Sequence, residues 1–419
     1  MSLEGNQMNL SLSPRGQEML SLATSFMNKH VMPAEHLYGE QSRELATAGR
    51  PNDVPAVMGE LQSRARSLGL WNLFLPAVSG LSNLDYAHIA EETGKSPWIG
   101  PAAMNCLSPD TGNMELLHLL GTEEQKSRWL DPLLAGEIRS GFSMTEPAVA
   151  SSDASNIETR ITRDGDDFVV NGTKWFTTGA ADPRCELLIV LGRSSDDGAA
   201  HERHTMLLVP RDSPGVTVKR VVPVFGYYEQ QGHGEIEYRE VRVPVANVLG
   251  AEERGFAAAQ ARLGPGRVHH CMRAIGMAER ALQMLCQRAG SRVAFGGPLA
   301  EQGTVRAQVA EARIAIEQAR LLVLKTAWLL DQGGAKNARV EIAAIKAAVP
   351  RMAARIIDQS IQLHGAAGVT DDFPLAAIWS RARTLRLVDG PDEVHLRTIA
   401  RQEFRRYRGP GAREGATGA

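Results

Sequence analysis

The apolar residues of this chain change period twice, and that double switch limits the available folds more than any other feature. From about Ser13 to Arg139 they recur at helical spacing, as in residues 60–70 and 114–134. In the second stretch Gly121-Thr122-Glu123-Glu124-Gln125 supplies a break and a fresh N-cap. From about Thr159 to Val245 the period shortens to two. Residues 168–172, 186–191, 206–209 and 235–241 read as strands, with Asp164-Gly165 and Asn171-Gly172 as turn signals between them. Short strands without intervening helices predict an antiparallel sandwich or barrel, not a βαβ sheet.

After Gly255 helical spacing returns in long runs. Val305, Val309, Ala312, Ile316, Ala319, Val323, Thr326 and Leu330 share one face, as do Ile342, Ile345, Val349, Met352, Ile356 and Ser360. Pro350 lies inside the second stripe and is expected to bend that helix without ending it. Long amphipathic helices with short links predict a four-helix bundle. The expected organisation is α+β and multidomain: an all-helical domain over 1–140, a β-barrel or sandwich over 141–252, a helical bundle over 253–408, and a flexible, polar, Gly-rich tail over 409–419.

With 419 residues, 43% of them hydrophobic, the chain can bury more than one core. A net charge of -2 gives no long-range attraction to nucleic acid or an anionic membrane. Arg401, Arg405, Arg406 and Arg408 cluster near the C-terminus and read as a solvated helix end, with an anion-binding tail as the alternative. Four cysteines without a C-x-x-C pair argue against a disulfide framework or zinc ribbon and fit a reducing compartment. No apolar run is long enough to span a bilayer, and the N-terminus lacks the pattern of a secretory or transit signal, so a cytoplasmic location is expected.

Dinucleotide, P-loop and G-x-S-x-G motifs are absent. His269-His270-Cys271 does not read as a metal site, because neighbours on a helix point in different directions. Three other segments carry chemistry. Residues 142–153 form a loop of small and hydroxylic residues, able to offer N–H groups and hydroxyls to a heteroaromatic edge or phosphate, or simply to link domains. Phe176 and Thr178, after the Asn171-Gly172 turn, fall on one side of a strand; they could cover a flavin ring and bond its edge, or be core filler and a surface threonine. Asp389, between an apolar run and Gly390-Pro391, reads as a helix-end carboxylate or as a general base.

In order along the chain stand F-x-M-T-E-P, a Ser-Asp pair, K-x-aromatic-x-[ST], R-x-x-F-G, Q-x-x-G-x-x-G and a carboxylate-Gly pair. From about Leu10 to Arg401 the sequence resembles the acyl-CoA dehydrogenase family. It is most similar to the subgroup that occurs in some larger proteins behind a phosphotransferase-like domain, a domain not present here. The resemblance implies FAD as cofactor. Phe142, Met144 and Thr145 match the loop on the pyrimidine edge of the flavin, and Ser152 a position near the pyrophosphate and the pantetheine arm of the substrate. Phe176 takes the place of a tryptophan packing on the flavin, and Thr178 that of the hydroxyl near N5. Arg292 and Phe295 match contacts to the ADP half of FAD made across a subunit interface, and Gln362 and Gly365 another such stretch; Pro391 and Glu393 fall among the matched cofactor positions. Asp389 matches the base, Arg267 the arginine supporting its loop, and Gly390 joins Asp389 and Ser152 at the substrate.

Departures from the pattern are informative. Most of the family has glutamate where this chain has Asp389, and some relatives place the base at the position of Gly266, which has no side chain. Pro391 and Ala366 replace a hydroxyl and a glycine common in the family. The implied reaction is α,β-dehydrogenation of a fatty acyl-CoA to the trans-2-enoyl-CoA, in fatty acid β-oxidation. Electrons would pass to electron-transferring flavoprotein, and cross-subunit FAD contacts imply a homodimer or homotetramer. The alternatives are an oxygen-using flavin oxidase or monooxygenase on the same scaffold, or a catalytically decayed acyl-CoA or flavin-binding protein.

Overall fold

A computed structural model describes residues 8–407; the expected tail and Arg408 lie outside the described residues. The chain divides into two compact units. One comprises residues up to 33, 63–104 and 266 onward; the other comprises 34–62 and 105–265.

The first unit is helical. Its longer elements are α1 (Pro14–Phe26), α4 (Asn83–Gly94), the greater part of α6 (Gly255–Ser291), α7 (Gly303–Asn337), α8 (Arg339–His364), α9 (Leu375–Thr384) and α10 (Asp392–Tyr407). The predicted stripes face inward: every named residue on α7 except Val309 is buried, and so are all six on α8. The α8 helix runs through Pro350 without a break, as expected. Helices α4 and α6 touch through their backbones. A Cβ on Gly276 would lie 1.9 Å from the Glu91 carbonyl oxygen, and one on Gly94 would lie 2.1 Å from that of Arg273, so only glycine permits this approach.

The second unit holds part of α2 (Met32–Thr47), most of α3 (Ala56–Ser67), α5 (Asp110–Leu120) and a seven-stranded sheet: β1 (Arg139–Ser143), β2 (Arg160–Asp164), β3 (Asp167–Thr178), β4 (Cys185–Arg193), β5 (His204–Pro210), β6 (Val216–Val221) and β7 (His233–Pro244). The strand order is β1-β4-β2-β3-β7-β6, with β5 also on β4. Its core packs Ile161, Phe168, Val170, Leu188, Val190, Leu207, Val209, Ile236 and Val241. Thr122 caps the helix after α5 through a reciprocal bond pair with Gln125, so the expected break and restart are present.

Three local expectations need correction. Phe142 and Ser143 are not loop residues but end strand β1, paired in parallel with Ile189 and Val190 of β4. Backbone pairing with a strand over forty residues away outweighed the local turn composition. Asn171-Gly172 is not a turn. It lies inside β3 at a register shift, where Asn171 bonds both the backbone N–H and the carboxylate of Glu240, and a Cβ on Gly172 would meet Thr159 at 2.5 Å. The sheet is also not wholly antiparallel, since β1 and β2 both run parallel to β4. Strand β1 enters after a helical stretch and needs no hairpin.

Candidate active site

In the first unit the carboxylate-Gly segment follows α9 as a loop with three of its carbonyls taken by basic side chains. Lys346, buried in α8, donates to the Leu385 carbonyl; Arg267 Nε donates to that of Asp389 at 2.8 Å; His395 Nε2 lies 3.1 Å from that of Gly390. The far end is pinned by Asp392, whose Oδ2 accepts from Arg351 and Arg386, each at 2.8 Å. Burial opposes ionisation of Asp392, but these two guanidinium groups outweigh it and hold its carboxyl below the usual range.

This clamp forces Asp389 into the left-handed region, φ 57°, beside Gly390 at φ 98°. The Asp389 side chain is turned inward, 11% exposed, with Oδ2 3.4 Å from His270 Nε2 and 3.8 Å from where a Cβ on Gly266 would stand. Gly266 and His270 are one turn apart on α6, so one helix face meets the carboxylate while intervening Arg267 takes its carbonyl. Among the described residues the Asp389 N–H meets no acceptor. Burial, with Arg273, Arg381 and Lys346 nearby, pushes His270 well below its ordinary value and keeps it neutral. The three residues His269-His270-Cys271 diverge: His269 packs on the Tyr86 ring at 5.1 Å, and Cys271 is fully buried.

His395 makes a pH prediction. Burial, with Arg267 and Lys346, pushes it down to about 4, so the folded unit resists a proton that the unfolded chain binds below about 6.5. Its contribution is complete above pH 6.5 and is lost as pH falls toward 4, by up to about 3 kcal/mol. Denaturant unfolding followed from pH 7 to pH 4 is expected to show a shallower loss in His395→Gln than in the parent; parallel curves would refute this.

In the second unit, β1 leads into the F-x-M-T-E-P loop. Glu146 turns back into the protein, where Lys174 Nζ donates to its Oε1 at 2.8 Å and the N–H groups of Glu158 and Thr159 donate at 2.8 and 2.9 Å. Lys174 also donates to the Met144 carbonyl, and Trp175 N–H to that of Thr145 at 2.9 Å. The T-E-P and K-x-aromatic motifs are thus two ends of one buried ion pair, which fixes the loop against β3. Burial pulls Lys174 down to about 8 against the pull of Glu146, while Glu146 stays ionised because Lys174 and the two N–H groups outweigh its own burial.

That pairing leaves groups available. Among the described residues neither the N–H nor the hydroxyl of Thr145 meets a protein partner. Phe176 is 41% exposed at φ 50°, its ring 4.9 Å from that of Trp175, whose buried indole N–H has no partner among the described residues. Thr178 Oγ1 lies 2.8 Å from His233 Nδ1, and the His233 ring is 6.0 Å from Phe176, so Phe176 and Thr178 share a face as expected. An open aromatic beside uncommitted donors fits the ring and polar edge of a flavin. Phe142 is half-buried at the end of β1, with the Arg262 guanidinium 4.1 Å from its ring centre. Ser152 is exposed in the loop beyond.

The remaining predicted positions are in the first unit; Pro391 and Glu393 follow Asp389 directly, whereas Arg292, Phe295, Gln362 and Gly365 are distant from it in sequence. Phe295, fully exposed, tips a hairpin of β8 (Val293–Ala294) and β9 (Gly297–Pro298), next to exposed Arg292. Gln362 and Gly365 are exposed at the end of α8, and Glu393 is exposed at the start of α10, where Pro391 is half-buried. Sequence reasoning missed Glu146, Lys174, His233 and His270. Only the spacing between the two pinned motifs, read as a possible buried pair, could have signalled the first two.

Three family models match in succession: the N-terminal, middle and C-terminal domains of acyl-CoA dehydrogenases, over residues 13–137, 141–241 and 253–404. The chain is 56% identical over 399 residues to "Probable acyl-CoA dehydrogenase FadE2" of Mycobacterium tuberculosis, covering 95% of this chain and 98% of that one. It is 52% identical to "Acyl-CoA dehydrogenase family member 11" of Mus musculus, covering 94% of this chain but only 51% of that relative, so it spans about half the mouse protein. Among solved structures, butyryl-CoA dehydrogenase of Megasphaera elsdenii is 26% identical with a TM-score of 0.80, covering 95% of this chain and 100% of that one.

Proposed function

We propose, from the premise that this chain belongs to the acyl-CoA dehydrogenase family, that it converts a fatty acyl-CoA thioester to the trans-2-enoyl-CoA with Asp389 as the base. The family is FAD-dependent, and when bound the flavin supplies the acceptor for the β-hydride at N5. Thr145, Phe176 and Thr178 would hold its ring, with Met144 and Phe142 beside them. Ser152 would lie near the pyrophosphate of the cofactor and the pantetheine arm of the substrate, Arg292, Phe295, Gln362 and Gly365 would serve the ADP half, and Pro391 and Glu393 would be further cofactor positions.

Removing an α-proton from a thioester demands that charge developing on its carbonyl oxygen be stabilised. Asp389 offers a group for each need, a carboxylate turned inward to take the proton and an N–H that meets no acceptor among the described residues. That combination is the observation carrying this reading. Arg267 keeps the loop in place through the Asp389 carbonyl and leaves the carboxylate to react.

Electron-transferring flavoprotein is the proposed electron acceptor, a homodimer or homotetramer the proposed assembly, and cytoplasmic β-oxidation the proposed setting. Among the described residues no helix is long and apolar enough to cross a membrane. Anaerobic titration with straight-chain acyl-CoAs from butyryl- to palmitoyl-CoA is expected to bleach the flavin, with reoxidation needing electron-transferring flavoprotein or a dye. Rapid turnover on oxygen alone would point to an oxidase, and a flavin inert to every chain length would refute the dehydrogenase.

A further inference from the structure

Asp389 is one methylene shorter than the glutamate common at this position, and a shorter base has fewer ways of being aimed. The clamp described above fixes its backbone but not its side chain, because Lys346, Arg267 and His395 all hold carbonyl oxygens. Among the described residues, His270 Nε2 faces its carboxylate, 3.4 Å from Oδ2. His270 is 8% exposed and projects from the helix that also supplies Arg267. Gly266, one turn earlier, leaves open the space beside the same oxygen.

We infer that His270 is a positioning residue for the base: its Nε2–H, 3.4 Å from Asp389 Oδ2, is poised to donate to it and so to fix the side-chain rotamer with Oδ1 presented to the substrate. The inference rests on Asp389 being the base. A neutral imidazole suits this role, since it orients the carboxylate with a hydrogen bond but does not neutralise it with a full positive charge. It also accounts for the length of the base. An added methylene at position 389 would push the carboxylate toward the His270 ring, whose Nε2 already lies 3.4 Å from Oδ2.

Stopped-flow reduction of the holoenzyme, using the acyl-CoA from the same panel that bleaches it fastest, tests this. His270→Leu is expected to slow flavin reduction roughly 10- to 100-fold while acyl-CoA Kd changes little, with a larger α-deuterium isotope effect. His270→Gln, which keeps a donor, is expected to recover most of that rate. Asp389→Glu is expected to be impaired, and adding His270→Ala to it to restore activity above either single variant. Unchanged reduction and isotope effect in His270→Leu would overturn the inference. If that variant fails to hold flavin, the Asp389→Glu pair decides, and no gain from adding His270→Ala overturns it. Asp389→Asn run in parallel separates the two levels: an active Asn variant sinks the base assignment, whereas an inert Asn variant beside a normal His270→Leu sinks only the role of His270.

Discussion

Asp389→Asn is expected to yield a yellow protein that no acyl-CoA bleaches. The amide keeps the size of the side chain and one acceptor oxygen, which can still face His270, but cannot accept the α-proton. Nothing in the loop clamp depends on the carboxylate, because Arg267 binds the Asp389 carbonyl and Asp392 carries the ion pairs to Arg351 and Arg386. The fold and the flavin content are therefore expected to survive. Loss of a general base typically costs about 10²- to 10⁴-fold, and the weak acidity of a thioester α-proton places this case at the upper end. Single-turnover reduction is the proper measurement, since steady-state assays can hide the chemical step behind product release. A variant that still reduces within a few-fold of the parent rate would disprove the assignment.

The second large effect concerns stability. Glu146→Ala leaves Lys174 with its ammonium buried beside only the Met144 carbonyl, and strips the Glu158 and Thr159 N–H groups of their acceptor. Breaking a buried pair by removing one partner costs about 3–5 kcal/mol, because the other charge remains uncompensated. Lys174→Met is expected to be similarly costly. The double variant Glu146→Gln with Lys174→Met is expected to lose less than the sum of the singles, since neither buried charge remains. The loop that carries Thr145 hangs on this pair, so the single variants are also expected to release FAD on gel filtration. Urea unfolding of all three decides the energetic claim: single-variant losses below about 1 kcal/mol would mean that the pair does not hold the loop.

Much of the helical architecture was legible because it depends on neighbours a few residues apart. The α7 and α8 stripes, the passage of α8 through Pro350 and the Thr122 cap all follow from spacing or from one local bond pair. The β region was legible in kind but not in detail. Phe142 and Ser143 look like loop residues locally and become strand because β4 offers them a parallel partner. Asn171-Gly172 is a favoured hairpin pair, yet Glu240 and Thr159, both distant in sequence or on another strand, convert it to a bulge. The motifs pointed to Asp389, Arg267, Phe176 and Thr178, but they could not reveal the partners of those residues.

The order of helical and strand segments, their inward faces and the kinds of chemistry on offer were determined by the sequence alone, because each depends on periodicity and residue type within a short window. Which groups meet was decided only by the tertiary structure. Glu146 and Lys174 stand 28 residues apart, and His270 and Asp389 well over a hundred. Pairings across such separations arise when distant segments are packed together and water is excluded between them, which no local pattern encodes.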